Sequence, residues 1–207
     1  MERHLEPLTP ERRRQQTRDY LLAAAAQVFA ERGFHGATLD EVAAVAGFTK
    51  GAVYSNFKSK DDLFLALLES RYESETTSLR AYLDAAGRPH HAADFLGRVA
   101  DELNDATTKH WGALYQEFLV YALRNPEARR KLAELERADV ESVAEILAAE
   151  RKKHGINDPH AVEHTARFVV AVMRGLFAMR LIETTAVDEA LVAAVLDFLE
   201  RALTPDP

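Results

Sequence analysis

Glycine and proline punctuate this chain between helical patterns, and no stretch alternates apolar and polar residues cleanly over the length of a strand. That excludes sheet-based folds and predicts an all-α protein of about nine helices. The first helix begins at Pro10 or Thr17 and ends near Arg32. Gly33 sits in the left-handed capping place, and Leu22, Ala26 and Phe29 form the apolar stripe. Thr38 with Glu41 three residues on is a capping box for a short helix to Ala46, ended by Gly47. Thr49 caps a third short helix through Phe57, and Ser59 with Asp62 opens a long fourth to about Ala86. The pattern continues over about 91–107, 109–124, 126–153, 159–184 and 187–203. Pro126 and Pro159 suit a first helical turn, and Gly155 ends the helix that Pro126 starts. The one ambiguous run, RFVVAVMRGLF at 167–177, has the length and flanks of a buried helix.

The apolar share of 47% in 207 residues is enough for a real core. There is no cysteine, so disulfides and thiolate metal sites are excluded and a reducing cytoplasm is the expected location. The apolar run Leu21 to Ala26 is too short for a signal peptide or a membrane span.

The net charge of −7 argues against nucleic acid as a partner, but its distribution argues for it. Residues 1–60 hold nine Lys/Arg against seven Asp/Glu, leaving seventeen against twenty-six in the rest. From Val42 to Lys60 there is no acid and there are three lysines. This window lies on two short helices joined by a glycine turn, the helix-turn-helix pattern whose second helix enters the major groove of DNA. At 100° per residue, Val53 and Phe57 share the core side of that helix. Lys50, Gly51, Tyr54 and Ser55 face out, with Ala52 and Asn56 on the flanks. Gly51 costs about 1 kcal/mol relative to alanine. A bare backbone there lets N–H groups approach phosphate. Lys50 reaches a base edge or a phosphate, Tyr54 a phosphate or a thymine methyl, and Lys58 and Lys60 anchor the DNA backbone. Spacing alone fits a solvated helix pair with ordinary caps as well.

The stretch TLDEVAAVAGFTKGAVYSNFKSKDDLFLALL, preceded by AAAQVFAERGFHGAT, closely resembles the DNA-binding region of TetR-family transcriptional regulators, over about residues 17–68. The resemblance implies a homodimer whose subunits each carry a three-helix N-terminal head, residues 1–60, and a larger helical body for ligand binding and dimerisation, 61–207. It implies a double-stranded DNA operator, a small-molecule effector and no cofactor. Carried over position by position, Thr38, Thr49, Lys50, Gly51, Ala52, Tyr54, Ser55, Asn56 and Lys60 match places that touch DNA in the family. The small residues at 51, 52 and 55 depart from members with bulky readers there, which shifts weight to indirect readout. Arg12, Arg13 and Arg14 read either as a minor-groove arm or as solvated charges.

In the body, helices 159–184 and 187–203 are apolar over faces too broad for one intramolecular contact, and Gly175 permits close approach. They are the expected dimer interface, which predicts a pseudo-palindromic operator. Trp111, Tyr115 and Phe118 recur on one helical face. With Phe95, Met173, Arg174 and Phe177 they outline either an effector pocket or an ordinary core.

An enzymatic alternative is also legible. HAVEH, residues 160–164, has the H-x-x-E-H order of an inverted zinc-protease motif. It places His160 and His164 one helical turn apart, with His90 and His91 elsewhere and Glu183, Asp188 or Glu189 as possible third ligands. No phosphate-binding glycine loop or nucleophile elbow accompanies it. A protein-only helical interaction module is a third reading, separable from DNA binding by salt dependence.

Overall fold

The computed structural model describes residues 9–85, 106–153, 159–183 and 185–203, and among these every regular element is an α-helix. Eight are present: α1 Pro10–Gly36, α2 Leu39–Ala46, α3 Lys50–Asn56, α4 Lys60–Asp84, α5 Ala106–Arg124, α6 Pro126–Lys153, α7 Pro159–Ile182 and α8 Glu189–Leu203. The expected helix over 91–107 falls almost wholly outside the described residues, as does Gly155. The chain divides into two compact units between Leu68 and Glu69, part-way along α4.

In the first unit α1 starts at Pro10, because the Thr9 hydroxyl accepts the Arg12 N–H at 3.2 Å. Arg12, Arg13 and Arg14 therefore lie within a helix and are exposed there, not in an extended arm. Gly33 interrupts α1 with φ 69° and ψ 174°. This is a glycine conformation, but an extended one and not the left-handed helical cap the sequence suggests. The buried stripe is also set a residue away from the expected one. Leu21, Ala24, Ala25, Val28 and Phe29 are buried, while Leu22 and Ala26 are half-buried. Phe29, Phe34 and Phe64 form a closed aromatic triangle with centroids 5.5–6.1 Å apart. It joins the end of α1 to the first turns of α4, and edge-on contacts of this kind add to simple burial.

The second unit packs α6 along α7, with α5 against both and α8 against α6. Its core draws Tyr82, Val143, Ile146, Leu147, Val162, Ala166, Val169, Val170, Leu176 and Val192 together. Asn125 caps α6 by accepting the N–H groups of Glu127 and Ala128, both at 3.1 Å, and Asp188 caps α8 through the Leu191 N–H at 2.8 Å. Gly112 lets α5 approach α7 closely, since a β-carbon there would lie 2.9 Å from a Leu181 methyl.

Candidate nucleic-acid interface and body site

The short helices α2 and α3 owe their positions to their ends. Thr38 and Glu41 complete a reciprocal capping box. The Glu41 N–H donates to the Thr38 hydroxyl at 3.2 Å, and the Thr38 N–H donates to the Glu41 carboxylate at 3.0 Å. Gly47 ends α2 at φ 71°, ψ 24°, and the Phe48 N–H returns to the Ala43 carbonyl at 3.0 Å. This left-handed turn aims the chain into α3, where Thr49 accepts the Ala52 N–H at 3.2 Å.

The facing of α3 is as the periodicity predicts. Val53 and Phe57 are buried; Lys50, Gly51, Tyr54 and Ser55 are exposed; Ala52 and Asn56 are half-buried. Arg18 backs the end of the helix, its guanidinium 4.7 Å from the Phe57 ring centroid. A β-carbon on Gly51 would meet only the Thr49 hydroxyl, at 3.8 Å, an ordinary contact. Among the described residues there is thus room for a side chain at position 51 and no internal need for glycine. Ser55 and Asn56 both donate to the Ala52 carbonyl, at 2.9 and 2.8 Å, so their polar ends are partly turned onto the helix.

Two lysines have partners the sequence does not announce. Lys50 donates to Asp40 on α2 at 2.5 Å, and this hydrogen bond together with the charge of Asp40 raises the lysine pKa. Lys60 donates to the carbonyls of His35 and Ala37 at 3.1 and 3.0 Å and lies 4.8 Å from the Phe34 ring centroid. Burial lowers its pKa. Two of its three donors are therefore committed to the turn after α1, leaving one for any phosphate. Lys58 is exposed.

In the body the proposed pocket residues divide. Phe118 is fully buried in the core, and Phe95 lies outside the described residues. Trp111, Tyr115, Met173, Arg174 and Phe177 are half-buried. Tyr115 and Arg174 meet in a polar cluster whose other members sequence reasoning misses. Glu136 accepts hydrogen bonds from Tyr72 at 2.7 Å and Tyr115 at 3.1 Å, and it pairs with Arg174. Arg174 also reaches Asp139 at 2.9 Å and lies 5.2 Å from the Tyr72 ring centroid. Arg71 lies over both Trp111 and Phe177, at 5.8 and 5.6 Å, and pairs with Glu75 at 3.0 Å. Burial pushes the Tyr72 hydroxyl pKa up strongly, and burial together with the nearby charge of Glu75 pushes Asp139 up to about 6. Acids at i and i+3 on an otherwise amphipathic α6 were the only available signal for Glu136 and Asp139, and surface acids look the same.

The zinc alternative gains nothing here. His164 is exposed, and Glu163 pairs with Arg167 at 2.8 Å. No group of three metal-binding side chains occurs among the described residues. The side chain of His160 lies outside them. No described helix is long and apolar enough to cross a membrane.

A capped pair of short helices whose second member is acid-free and bare-backboned at its start, followed by a helical body, defines a helix-turn-helix DNA-binding protein. Residues 21–67 match the profile of bacterial regulatory proteins of the tetR family, and residues 96–204, more than half the chain, match the C-terminal region of BetI-type transcriptional repressors. The chain belongs to the TetR family of transcriptional regulators, which are not enzymes. It is 43% identical over 67 residues to the transcriptional repressor BepR of Brucella suis, a match covering 32% of either protein. It therefore spans about a third of the length of that curated relative. The regulator UidR of Escherichia coli K12 is 25% identical over 166 residues, covering 79% of this chain and 81% of UidR. Among solved structures, a TetR-family regulator from Rhodococcus sp. shares the fold, with a TM-score of 0.67 and 22% identity over 89% of this chain and 98% of that one. The multidrug binding protein EbrR, complexed with proflavin, has a TM-score of 0.55 and 26% identity over 88% of this chain and 99% of its own.

Proposed function

We propose that the chain is a sequence-specific repressor that binds a pseudo-palindromic operator as a homodimer and is released by a small molecule held in its body. The observation that carries the DNA reading is Gly51. It lies exposed in a helix, it costs stability there, and nothing among the described residues requires it. The bare position makes sense if a partner must come against the backbone, and an acid-free α3 fits a polyanion. Contacts to DNA fall to Thr38, Thr49, Lys50, Gly51, Ala52, Tyr54, Ser55, Asn56 and Lys60. Residues 1–60 make the DNA-binding part and 61–207 the body.

The dimer reading rests on a stripe along α7. Phe168, Ala171, Gly175, Met179 and Ile182, at spacings of three or four, are all exposed, and Phe168 lies 5.3 Å from exposed Phe198 on α8. An apolar stripe left in water is the mark of an interface. The effector reading rests on the half-buried aromatic and charged cluster around Arg174 and Trp111. For release, the effector must bind better to the conformation whose two heads are wrongly spaced for the operator.

Selection from a random duplex pool by the purified protein, at two salt concentrations, tests the core of this reading. The expected result is an enriched inverted repeat whose binding falls steeply with salt. An active, folded dimer that enriches no sequence would refute it.

A further inference from the structure

The head carries an acid where a polyanion is expected to approach. Asp40 stands in the first turn of α2, just before the acid-free window from Val42 to Lys60. Its carboxylate accepts a hydrogen bond at 2.5 Å from the ammonium group of Lys50, the first residue of α3. The two side chains are 49% and 68% exposed, and an ion pair in that much water adds little to folding. The inward side of α2 is made by Leu39, Val42 and Ala43 without help from Asp40. Thr38 and Glu41 cap the helix between themselves, and Glu41 already serves the dipole of its first turn. A carboxylate beside DNA is repelled by phosphate, and nothing Asp40 does in the fold offsets that. The repulsion is offset only where the carboxylate meets a hydrogen-bond donor on the DNA, and DNA carries its donors on base edges.

The order of the groups says which base pair supplies that donor. Lys50 has three N–H bonds and gives one to Asp40, which leaves two. Beside them stands Asp40, which when ionised only accepts. The pair therefore presents two donors and then an acceptor, next to Tyr54, which is exposed one turn further along α3. In the major groove a G·C pair shows two acceptors, guanine N7 and O6, and then one donor, the cytosine amino group. The two rows are complementary. Lys50 and Asp40 are hydrogen-bonded to each other, as guanine O6 and the cytosine amino group are across the base pair, so the spacings agree. An A·T pair shows acceptor, donor, acceptor, which sets the second ammonium N–H against another donor. Phosphate satisfies Lys50 but offers nothing to Asp40.

We propose that Asp40 is a specificity-determining residue of the head: with Lys50 it reads one G·C base pair in each half-site, Lys50 donating to guanine and Asp40 accepting from the cytosine amino group. This rests on the reading of the chain as a sequence-specific DNA-binding dimer. Asp40 lies outside the set of DNA-contacting residues that the family resemblance gives. Its second effect is on every other sequence. Where no cytosine amino group meets it, Asp40 holds Lys50 away from phosphate and adds repulsion, so it discriminates by weakening the wrong complexes as well as by completing the right one.

The test is selection from a random duplex pool by the full-length wild type, Asp40→Ala and Lys50→Met, followed by binding titrations on the enriched duplexes. Wild type should enrich an inverted repeat with G·C in one orientation at one position of each half-site. Asp40→Ala should enrich the same repeat with that position relaxed, its preference for G·C falling about tenfold. Its affinity for unrelated duplex should rise and depend more steeply on salt, because Lys50 then acts as a free cation. Lys50→Met should relax the same position and weaken binding as well. N4-methylcytosine at that position, which covers the amino group on its groove side, should weaken wild type about tenfold and Asp40→Ala hardly at all. This readout needs no variant to fold for its wild-type arm, and a merely structural Asp40 would not move it. Retained preferences at the other positions of the repeat establish that each variant is folded. The proposal is overturned if Asp40→Ala tightens binding to all duplexes equally with every base preference intact, if the position Asp40 controls is A·T, or if wild type tolerates N4-methylcytosine there. Enrichment of no sequence by wild type would overturn the sequence-specific reading itself, and the base-pair assignment with it.

Discussion

Replacing Gly175 by glutamate separates folding from assembly, because the two respond with opposite sign. Gly175 is exposed on α7, and a β-carbon built there meets nothing within 4 Å among the described residues. Within a single protomer the glutamate has room, and replacing helical glycine with a good helix former stabilises α7 by about 1 kcal/mol. In the proposed dimer the same position is the middle of the apolar stripe, and a two-fold axis presents every substitution twice. The surface at stake is large. Ile182 is 92% exposed, and Phe168, Met179 and Phe198 are each close to half-exposed. At about 2 kcal/mol for each large side chain fully buried, these four contribute about 5 kcal/mol per protomer, before the cost of association. A carboxylate forced into that contact without a partner costs about 3 kcal/mol per copy, or about 6 for the pair. The dissociation constant should then rise about 10⁴-fold. Sedimentation velocity across nanomolar to micromolar protein reads this directly, with circular dichroism at low temperature as the check on folding. Wild type should sediment as a dimer at about 1 μM, and Gly175→Glu as a fully helical monomer that no longer binds the inverted repeat tightly. A variant that dimerises with unchanged affinity would refute the assignment of α7 to the interface.

Three further outcomes follow from the same contacts. Val53→Asp places an unpaired charge where the side chain is 0% exposed, at a cost of several kcal/mol. That is comparable with the roughly 3–9 kcal/mol expected for a unit of about 60 residues, so helical signal and DNA binding should be lost together; retention of both would mean α3 faces the other way. Lys60→Met removes the donor to the His35 and Ala37 carbonyls, and should cost about 1–2 kcal/mol in chemical denaturation as well as weakening DNA binding at every sequence. Unchanged stability with weaker DNA binding would make Lys60 a phosphate contact alone. Asp139 holds its proton more tightly folded, at about 6, than unfolded, at about 3.8. The native state therefore binds more protons between those values, and stability falls as pH rises through them, by about 3 kcal/mol in all. Asp139→Asn should flatten that contribution, and a wild-type-minus-variant stability difference that grows as pH rises over 4–6 would contradict the burial argument.

The head is legible in the sequence because its signals are local. Thr38 with Glu41, Gly47 and Thr49 each fix a helix end within four residues, and once the ends are fixed a rotation of 100° per residue places Val53 and Tyr54 on opposite sides. The misses at Lys50 and Lys60 are those where the partner is distant. Nothing near Lys60 announces the carbonyls of residues 35 and 37, and Asp40 is ten residues from Lys50. The body inverts this balance. Its helices are legible from Pro126, Pro159 and the breaks between them, but the cluster around Arg174 draws on four helices, and Tyr72 meets Glu136 across 64 positions. Periodicity sees an aromatic face on α5 and reads a pocket or a core equally well. It cannot see that the polar partners of Trp111 and Tyr115 come from α4 and α6, nor that two of the many acids on α6, Asp139 and Glu150, are buried. The same asymmetry separates the two functions. A DNA-facing helix must present its reading residues outward in one register, which local rules capture. An effector site needs only that side chains from several helices converge, and any one of those helices read alone gives no sign of it.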